Sequence, residues 1–448
     1  MPRLTTPQVR KTLHRPVQPG VTLTAEATHA LQLLEQTPAH VFLTGRAGTG
    51  KSTLLQYFRA TTKKTLAVLA PTGVAAVQVQ GQTIHAFFGF GPDITVAKVR
   101  HRRDRESALF KRLQTIVIDE ISMVRADLLD CIDAFLRLNG RAPSLPFGGI
   151  QMVFIGDLYQ LPPVVPPAEE AVFRTHYPSP YFFDAKVLRR STVAVIELTQ
   201  VHRQRDAEFV AILDAIRTGT VTDAQLATLN RRVVRALSDT GAGQRQSTIH
   251  LVSTNAQAER INETHLARLS AKVVAFRGTF TGEFKRTHLP TSEMLTLKPG
   301  AQIMMLTNEP ASSWVNGDMG KIVEINSDKP SEAITVELAN GYRGKIGPHT
   351  WEMIRFFYDE TRDRIEAEVV GSFTQYPLRL AWALTIHKAQ GKTFDQVVVD
   401  FGRGTFAHGQ AYVALSRCRS LEGLMLRTPV MQRHLFMDQR VQQFLAGQ

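Results

Sequence analysis

Four short runs of consecutive apolar residues pace the first half of the chain. Val41-Phe42-Leu43 precedes a glycine-rich turn and a helical pattern, and Leu66-Ala67-Val68-Leu69 precedes Pro71-Thr72-Gly73 and another. Ile116-Val117-Ile118 ends in Asp119-Glu120, and Met152-Val153-Phe154-Ile155 ends in Gly156-Asp157. Runs that are apolar at every position mark strands covered on both faces, so they predict a parallel sheet sandwiched by helices. A helix start at Thr24-Ala25-Glu26-Ala27, running through Leu34, precedes the first of them. The same grammar returns with Ile249-His250-Leu251-Val252, a helical stretch from Ala256 to Leu269, Val397-Val398-Val399 and Leu424-Met425-Leu426, which predict a second sheet. Between them, Gly300, Gly317, Gly320, Gly341 and Gly347 separate short β-rich runs, the pattern of a small barrel inserted over 297–375. The expected organisation is a basic arm over 1–20, a first sheet domain over 21–195, a second over 196–296 plus 376–448, and the inserted barrel. A smaller insertion is expected at 89–107, where His101-Arg102-Arg103-Asp104-Arg105 reads as a solvated hairpin tip or a strand-separating element.

Charge narrows the partner before any motif does. The 448 residues carry 53 Lys+Arg against 40 Asp+Glu, a net +13. Such an excess points to a polyanion, leaving DNA, RNA and an acidic membrane open. The length exceeds what one hydrophobic core accommodates. Cys131 and Cys418 are the only two cysteines and have no partners at metal-ligand spacing, so they read as inert thiols in a reducing compartment. The N-terminus lacks the apolar segment of a secretory signal, and no run of about 18 apolar residues exists to cross a bilayer.

The chemistry begins at Gly45-Arg46-Ala47-Gly48-Thr49-Gly50-Lys51-Ser52, which fits G-x-x-x-x-G-K-[ST] between a strand and a helix. Backbone amides of Gly45, Ala47, Gly48, Thr49 and Gly50, with Ser52 and Thr53 opening the helix, form a phosphate cradle. Lys51 reaches the β/γ-phosphates and Ser52 can hold Mg²⁺. Asp119, at the end of an apolar strand, is placed to bind the metal, and Glu120 to polarise the attacking water. The alternative for this pair is an acidic helix start favoured by the helix dipole. Gln160, after the fourth strand, is the candidate sensor of the γ-phosphate.

The stretch Gly156-Asp157-Leu158-Tyr159-Gln160-Leu161-Pro162-Pro163-Val164 resembles motif III of superfamily-one helicases, and specifically the Pif (petite integration frequency) family of DNA helicases. Further blocks are similar to that family in order. They run from Ala70 to Ala76 with Gly81 to Phe88, Leu198 to Gln204, Leu384 to Thr393, and Tyr412 to Arg419. The resemblance implies two RecA-like α/β domains of the P-loop NTPase class, an inserted SH3-like barrel and a short wedge. It implies an ATP- and Mg²⁺-dependent helicase moving 5′ to 3′ on single-stranded DNA, with Arg203 and Arg417 delivered to the triphosphate and Gly391 lining the site. For either arginine a surface or DNA-facing position is the alternative.

Thr72 and Gly73 in one domain, and Thr385, His387 and Lys388 in the other, are the expected DNA contacts; His85 is either a further phosphate or base contact or a satisfied buried imidazole. Phe87 and Phe88 either stack on bases or belong to the core. Where the family carries a glutamine that reads adenine, this chain has Ala27. The implied partners are single-stranded DNA, forked or tailed duplexes and G-quadruplexes, with no membrane, acting as a monomer or a DNA-induced dimer. The implied setting is intracellular, cytoplasmic and nucleoid-associated in a bacterium, in DNA repair or recombination. A RecD-like helicase, or a DNA-binding ATPase that does not unwind, is the competing reading.

Overall fold

The computed structural model describes residues 23–447 except 92, 201–205, 235–247, 287–288, 310–312, 327–333, 360, 363, 403 and 406, and the backbone of Arg10–Lys11. The rest of the expected arm, and Arg203, lie outside the described residues.

The four apolar runs form neighbouring strands of one six-stranded parallel sheet. Its order is Gln82–Thr83, Leu66–Ala70, Thr115–Ile118, Gln151–Ile155, His40–Gly45 and Val193–Leu198. Alternate side chains feed two cores, as strand geometry requires. Phe42, Leu69, Ile116, Ile118 and Phe154 pack on one face. Val41, Leu43, Val68, Val117 and Ile155 pack on the other. Burial on both faces is what excludes polar alternation from these segments.

His40 opens the strand His40–Gly45 half-buried, and its ring Nδ1 accepts the Met152 N–H at 3.1 Å, which requires a neutral imidazole. Burial pushes its pKa down to about 4 from 6.5. The folded state therefore releases a proton that the unfolded chain keeps, and stability falls as pH drops from 6.5 towards 4. This single site costs at most about 3 kcal/mol across that interval. A His40→Asn variant should lose less melting temperature between pH 7 and 4.5 than the parent; equal losses would refute the assignment.

The second sheet has four parallel strands: Ala383–Thr385, Ile249–Val252, Val397–Asp400 and Leu424–Leu426. Its core includes Ile249, Leu251, Leu384, Val397, Val399 and Leu424.

The inserted region divides in two. Arg343–Ile346, Ile334–Leu338, Met319–Ile325, Gln302–Met305 and Leu378–Leu380 make one five-stranded antiparallel sheet. Its last strand lies beyond residue 375, where the barrel was expected to end. His349–Asp359 and Arg364–Gln375 instead pair as a long hairpin. Phe356 and Ala367 of that hairpin enter the first domain's core, and Arg112 lies 5.2 Å over the Tyr358 ring. Local β patterning located these strands but carries no information about their partners.

Two other boundaries shift. Among its described residues the segment at 89–107 forms no hairpin: Arg103 immediately precedes a helix over Asp104–Arg112, and Arg102 donates to the Phe88 carbonyl at 2.9 Å. The C-terminal helix Gln439–Ala446 leaves the second domain. Val441 and Phe444 pack on the first domain's core, Phe444 stacks on Phe183 at 4.2 Å, and Arg440 donates to Asp184 at 2.9 Å. The chain therefore crosses back and ties the two sheets together at its end.

Candidate active site

The phosphate loop joins the strand His40–Gly45 to the helix Lys51–Thr61. Gly45 has φ 146°, and a Cβ there would sit 2.5 Å from the Leu198 carbonyl and 2.8 Å from Thr49 Oγ1. Gly50, at φ 89°, begins the helix with no side-chain cap. The first amides are thus left for an anion, where the helix dipole favours one. Lys51 Nζ donates to the carbonyls of Gly45 at 2.6 Å and Arg46 at 2.9 Å. Its pKa is lowered by burial and raised in part by Asp157, Glu120 and Asp119.

Across the strand ends, Asp119 and Glu120 follow Thr115–Ile118. Glu120 sits at φ 53° and ψ 44°, a left-handed conformation rare outside glycine and a sign of imposed strain at a working site. Its N–H donates to Asp119 Oδ1 at 3.0 Å. Burial, then repulsion from Asp119, pushes the Glu120 carboxyl up to about 7. Burial also raises Asp119. Ser52 and Asp119 offer oxygen donors of the kind a hard divalent cation selects, and such a cation would relieve the crowded acids. Among the described residues no group of three His, Cys, Asp or Glu converges on a metal site.

These residues line a cleft of about 1200 Å³ between the two sheet domains. One wall carries Ala47 to Leu54, Asp119, Glu120, Asp157 and Gln160; the other carries Gly391, Thr393, Arg417 and Arg419. Arg417 is fully buried, donating to the Val413 carbonyl at 2.8 Å, the Lys392 carbonyl at 3.1 Å and Ser416 Oγ at 2.7 Å. It is a cleft residue rather than a surface one. Leu23, Thr24, Ala27 and Leu198 also line the cleft, which places Ala27 in the same cavity as the phosphate loop.

Several members of the site had little or no signal in the sequence. Gln390 Nε2 donates to Glu120 Oε2 at 3.1 Å and to Gln160 Oε1 at 3.0 Å, joining the two walls. Gln160 in turn donates to Asp157 Oδ2 at 3.3 Å. Arg217 reaches from the helix Ala207–Thr218 to Glu197 at 3.0 Å and Asp157 at 3.7 Å, and lies 4.4 Å over the Tyr159 ring. Arg46, within the phosphate loop, pairs with Asp214 of the same helix at 3.1 Å. Tyr412 Oη accepts the Ala47 N–H at 3.4 Å. Gln390 and Tyr412 lie inside recognisable blocks, but Arg217 lies in an ordinary amphipathic helix and carried no signal.

The candidate DNA contacts separate into two groups. Thr72, His387 and Lys388 are exposed, and Gly73 starts a short helix that Thr72 caps by accepting the Ala75 N–H at 3.3 Å. His85 is half-buried, which lowers its pKa. Thr385 is buried, with its hydroxyl accepting the Lys388 N–H at 3.3 Å, so it shapes the turn rather than facing outward. Phe87 and Phe88 are 7% and 1% exposed, and their rings meet Phe110 at 5.4 and 6.1 Å. Both are core residues, and the stacking alternative is overturned: the helix Asp104–Arg112 and Phe356 of the long hairpin cover them.

Fold and cleft together define a P-loop nucleoside triphosphatase built on two RecA-like parallel-sheet domains. Residues 23–227 match the model of the PIF1-like helicase family. The ATP-dependent DNA helicase Pif1 of Bdellovibrio bacteriovorus is 34% identical over 91% of this chain and 88% of its own length. The chain belongs to the PIF1-like helicase family. The mouse ATP-dependent DNA helicase PIF1 is 36% identical over 86% of this chain, which spans 57% of that relative's length. Bacteroides Pif1 in complex with ADP-AlF4 superposes with a TM-score of 0.88 at 34% identity, over 95% of this chain and 97% of that one. Bacteroides Pif1 bound to single-stranded DNA, at the same identity and coverage, superposes at 0.66, so the domain arrangement here is nearer the former. Among the described residues no helix is long and apolar enough to cross a membrane.

Proposed function

We propose that this protein is an ATP-dependent DNA helicase that moves 5′ to 3′ on single-stranded DNA and separates forked or tailed duplexes, G-quadruplexes among other structured substrates. The observation that carries the reading is the cleft, with phosphate loop and acids on one domain and Arg417 on the other. Phosphoryl transfer needs positioning and charge neutralisation more than covalent chemistry. A site split between domains makes both depend on closure.

In this mechanism Lys51 turns from the loop carbonyls to the β/γ-phosphates. Glu120 takes the proton of the attacking water, and Gln160 orients that water or the γ-phosphate. Ser52 and Asp119 would hold Mg²⁺, which supplies charge neutralisation at the phosphates. Arg417 stabilises the transferring phosphoryl group from the second domain, with Arg203 assigned the same role from the family resemblance. Thr72, Gly73 and His85 on one domain and His387 and Lys388 on the other hold the strand. Closure and reopening then alternate their grip. One copy suffices for the chemistry, with a second recruited at a fork, and the enzyme works where DNA is stored inside the cell.

The test is strand displacement on 5′-tailed and 3′-tailed duplexes with ATP and with GTP. Displacement of the 5′-tailed substrate alone is expected. With Ala27 in place of an amide at the base end, GTP should be used within about 100-fold of ATP, the range left when no hydrogen bond reads the substrate. DNA-stimulated hydrolysis without displacement would favour the non-unwinding ATPase.

A further inference from the structure

The short turn after the strand Ala383–Thr385 faces two sites at once. His387 and Lys388 are exposed on one side, while Gln390 and Gly391 reach the nucleotide cleft on the other. The turn is internally braced. Ala389 N–H donates to the Thr385 carbonyl at 3.0 Å, Gln390 N–H to His387 at 3.2 Å and Lys392 N–H to Ala389 at 3.0 Å. The Lys392 carbonyl then accepts from Arg417. A segment tied this way shifts as a unit, so movement of His387 or Lys388 carries Gln390 with it.

The amide orientation of Gln390 follows from its partners. When Glu120 is ionised its carboxylate accepts only, so in that state the NH₂ group of Gln390 faces it. Its second proton goes to Gln160 Oε1, which leaves the Gln160 NH₂ pointing at Asp157, as found. Donors and acceptors alternate without conflict along Gln390, Gln160 and Asp157. Glu120 needs such a tether, since its left-handed backbone does not fix where its carboxylate points.

We infer that Gln390 is a positioning residue that couples strand occupancy to hydrolysis: the turn holding DNA sets, through Gln390, the direction of the Glu120 carboxylate and the Gln160 side chain. This rests on the helicase reading above and adds to it the route by which DNA switches the ATPase on. Gln390 itself need touch neither DNA nor phosphate.

The experiment is steady-state ATPase of the full chain with and without an oligo(dT) strand, in the parent and in Gln390→Ala and Gln390→Glu. Strand affinity is read by fluorescence anisotropy. Gln390→Ala should lower the DNA-saturated kcat by about ten- to a hundredfold, the range for a misaligned reacting group. KM for ATP and the Kd for oligo(dT) should each stay within about threefold, well under that loss. Gln390→Glu keeps the size but brings a carboxylate against Glu120, and should lose kcat at least as much. It serves as the reading if the alanine variant does not fold. A rise in KM at unchanged kcat would overturn the inference in favour of a nucleotide contact. Recovery of kcat at saturating DNA would overturn it in favour of a DNA contact. Stimulation retained in both variants overturns the coupling role alone, whereas no DNA stimulation in the parent overturns the helicase reading beneath it.

Discussion

Glu120→Gln is expected to cut DNA-stimulated ATP hydrolysis by about 10³-fold, within the range that a positioned general base contributes. ATP and single-stranded DNA should still bind. The amide keeps the shape and can still meet Gln390, whose partner oxygen Oε2 is 3.1 Å away in the parent, but it cannot take a proton. The same change should raise stability. Burial and Asp119 hold the Glu120 carboxyl at about 7 against 4.5 in the unfolded chain. An acid with a raised folded pKa favours folding at low pH, and that advantage is lost as pH rises from 4.5 to 7. Above pH 7 the ionised carboxylate therefore costs up to about 3 kcal/mol, which the amide avoids. The melting temperature of the variant should exceed the parent's at pH 8, with the difference closing by pH 4.5. A kcat within tenfold of the parent's would remove Glu120 from its assigned role. An unchanged melting temperature would instead say that the carboxylate is well solvated.

The phosphate loop and Asp119-Glu120 were legible because their chemistry is local. Glycines, lysine and acids sit where strands end, and neighbouring residues suffice to place them. The two parallel sheets were legible for a related reason: burial on both faces removes polar residues from the strands themselves. What could not be read depends on contacts distant in sequence. Gln390 lies 270 residues from Glu120 and 230 from Gln160, and no spacing rule links them. Arg217 is of a residue type usually found at the surface, and Asp157, Glu197 and Tyr159 from the other domain help make its burial tolerable. Phe87 and Phe88 beside a polar block suggested stacking on bases. Their burial is decided by Phe110, Phe135 and Phe356, which arrive from three separate elements. The extent of the inserted barrel, though not its presence, misled in the same manner, because a strand's pattern does not name the sheet it joins.

Arg417→Lys carries the second large expectation: loss of about 10³-fold or more in kcat, as for removal of an arginine that stabilises transferring phosphate. Lysine keeps the charge but not the planar fork that serves several acceptors together. The geometry explains why a point charge is not enough. Arg417 is held by three hydrogen bonds, to Val413, Lys392 and Ser416, which fix the guanidinium at the cleft wall. The preceding helix Gln410–Leu415 rests directly on the other domain. Gly409, at φ 70°, begins it where a Cβ would lie 2.3 Å from the Tyr159 carbonyl and 2.6 Å from that of Gln160. Tyr412 of the same helix meets the phosphate loop at Ala47. In the proposed mechanism, opening the domains by even a small angle would carry the guanidinium away from the phosphates and so tie hydrolysis to closure.

Arg417→Ala is the poorer test, because it leaves two buried carbonyls without donors and should cost roughly 2–4 kcal/mol in folding. The lysine variant reads the chemistry more cleanly. Its affinity for a non-hydrolysable ATP analogue should stay within about tenfold while kcat collapses, since the loss belongs to the transition state. A kcat above one-tenth of the parent's, with the variant folded, would assign Arg417 to the architecture of the cleft wall and leave the phosphoryl role to another cation.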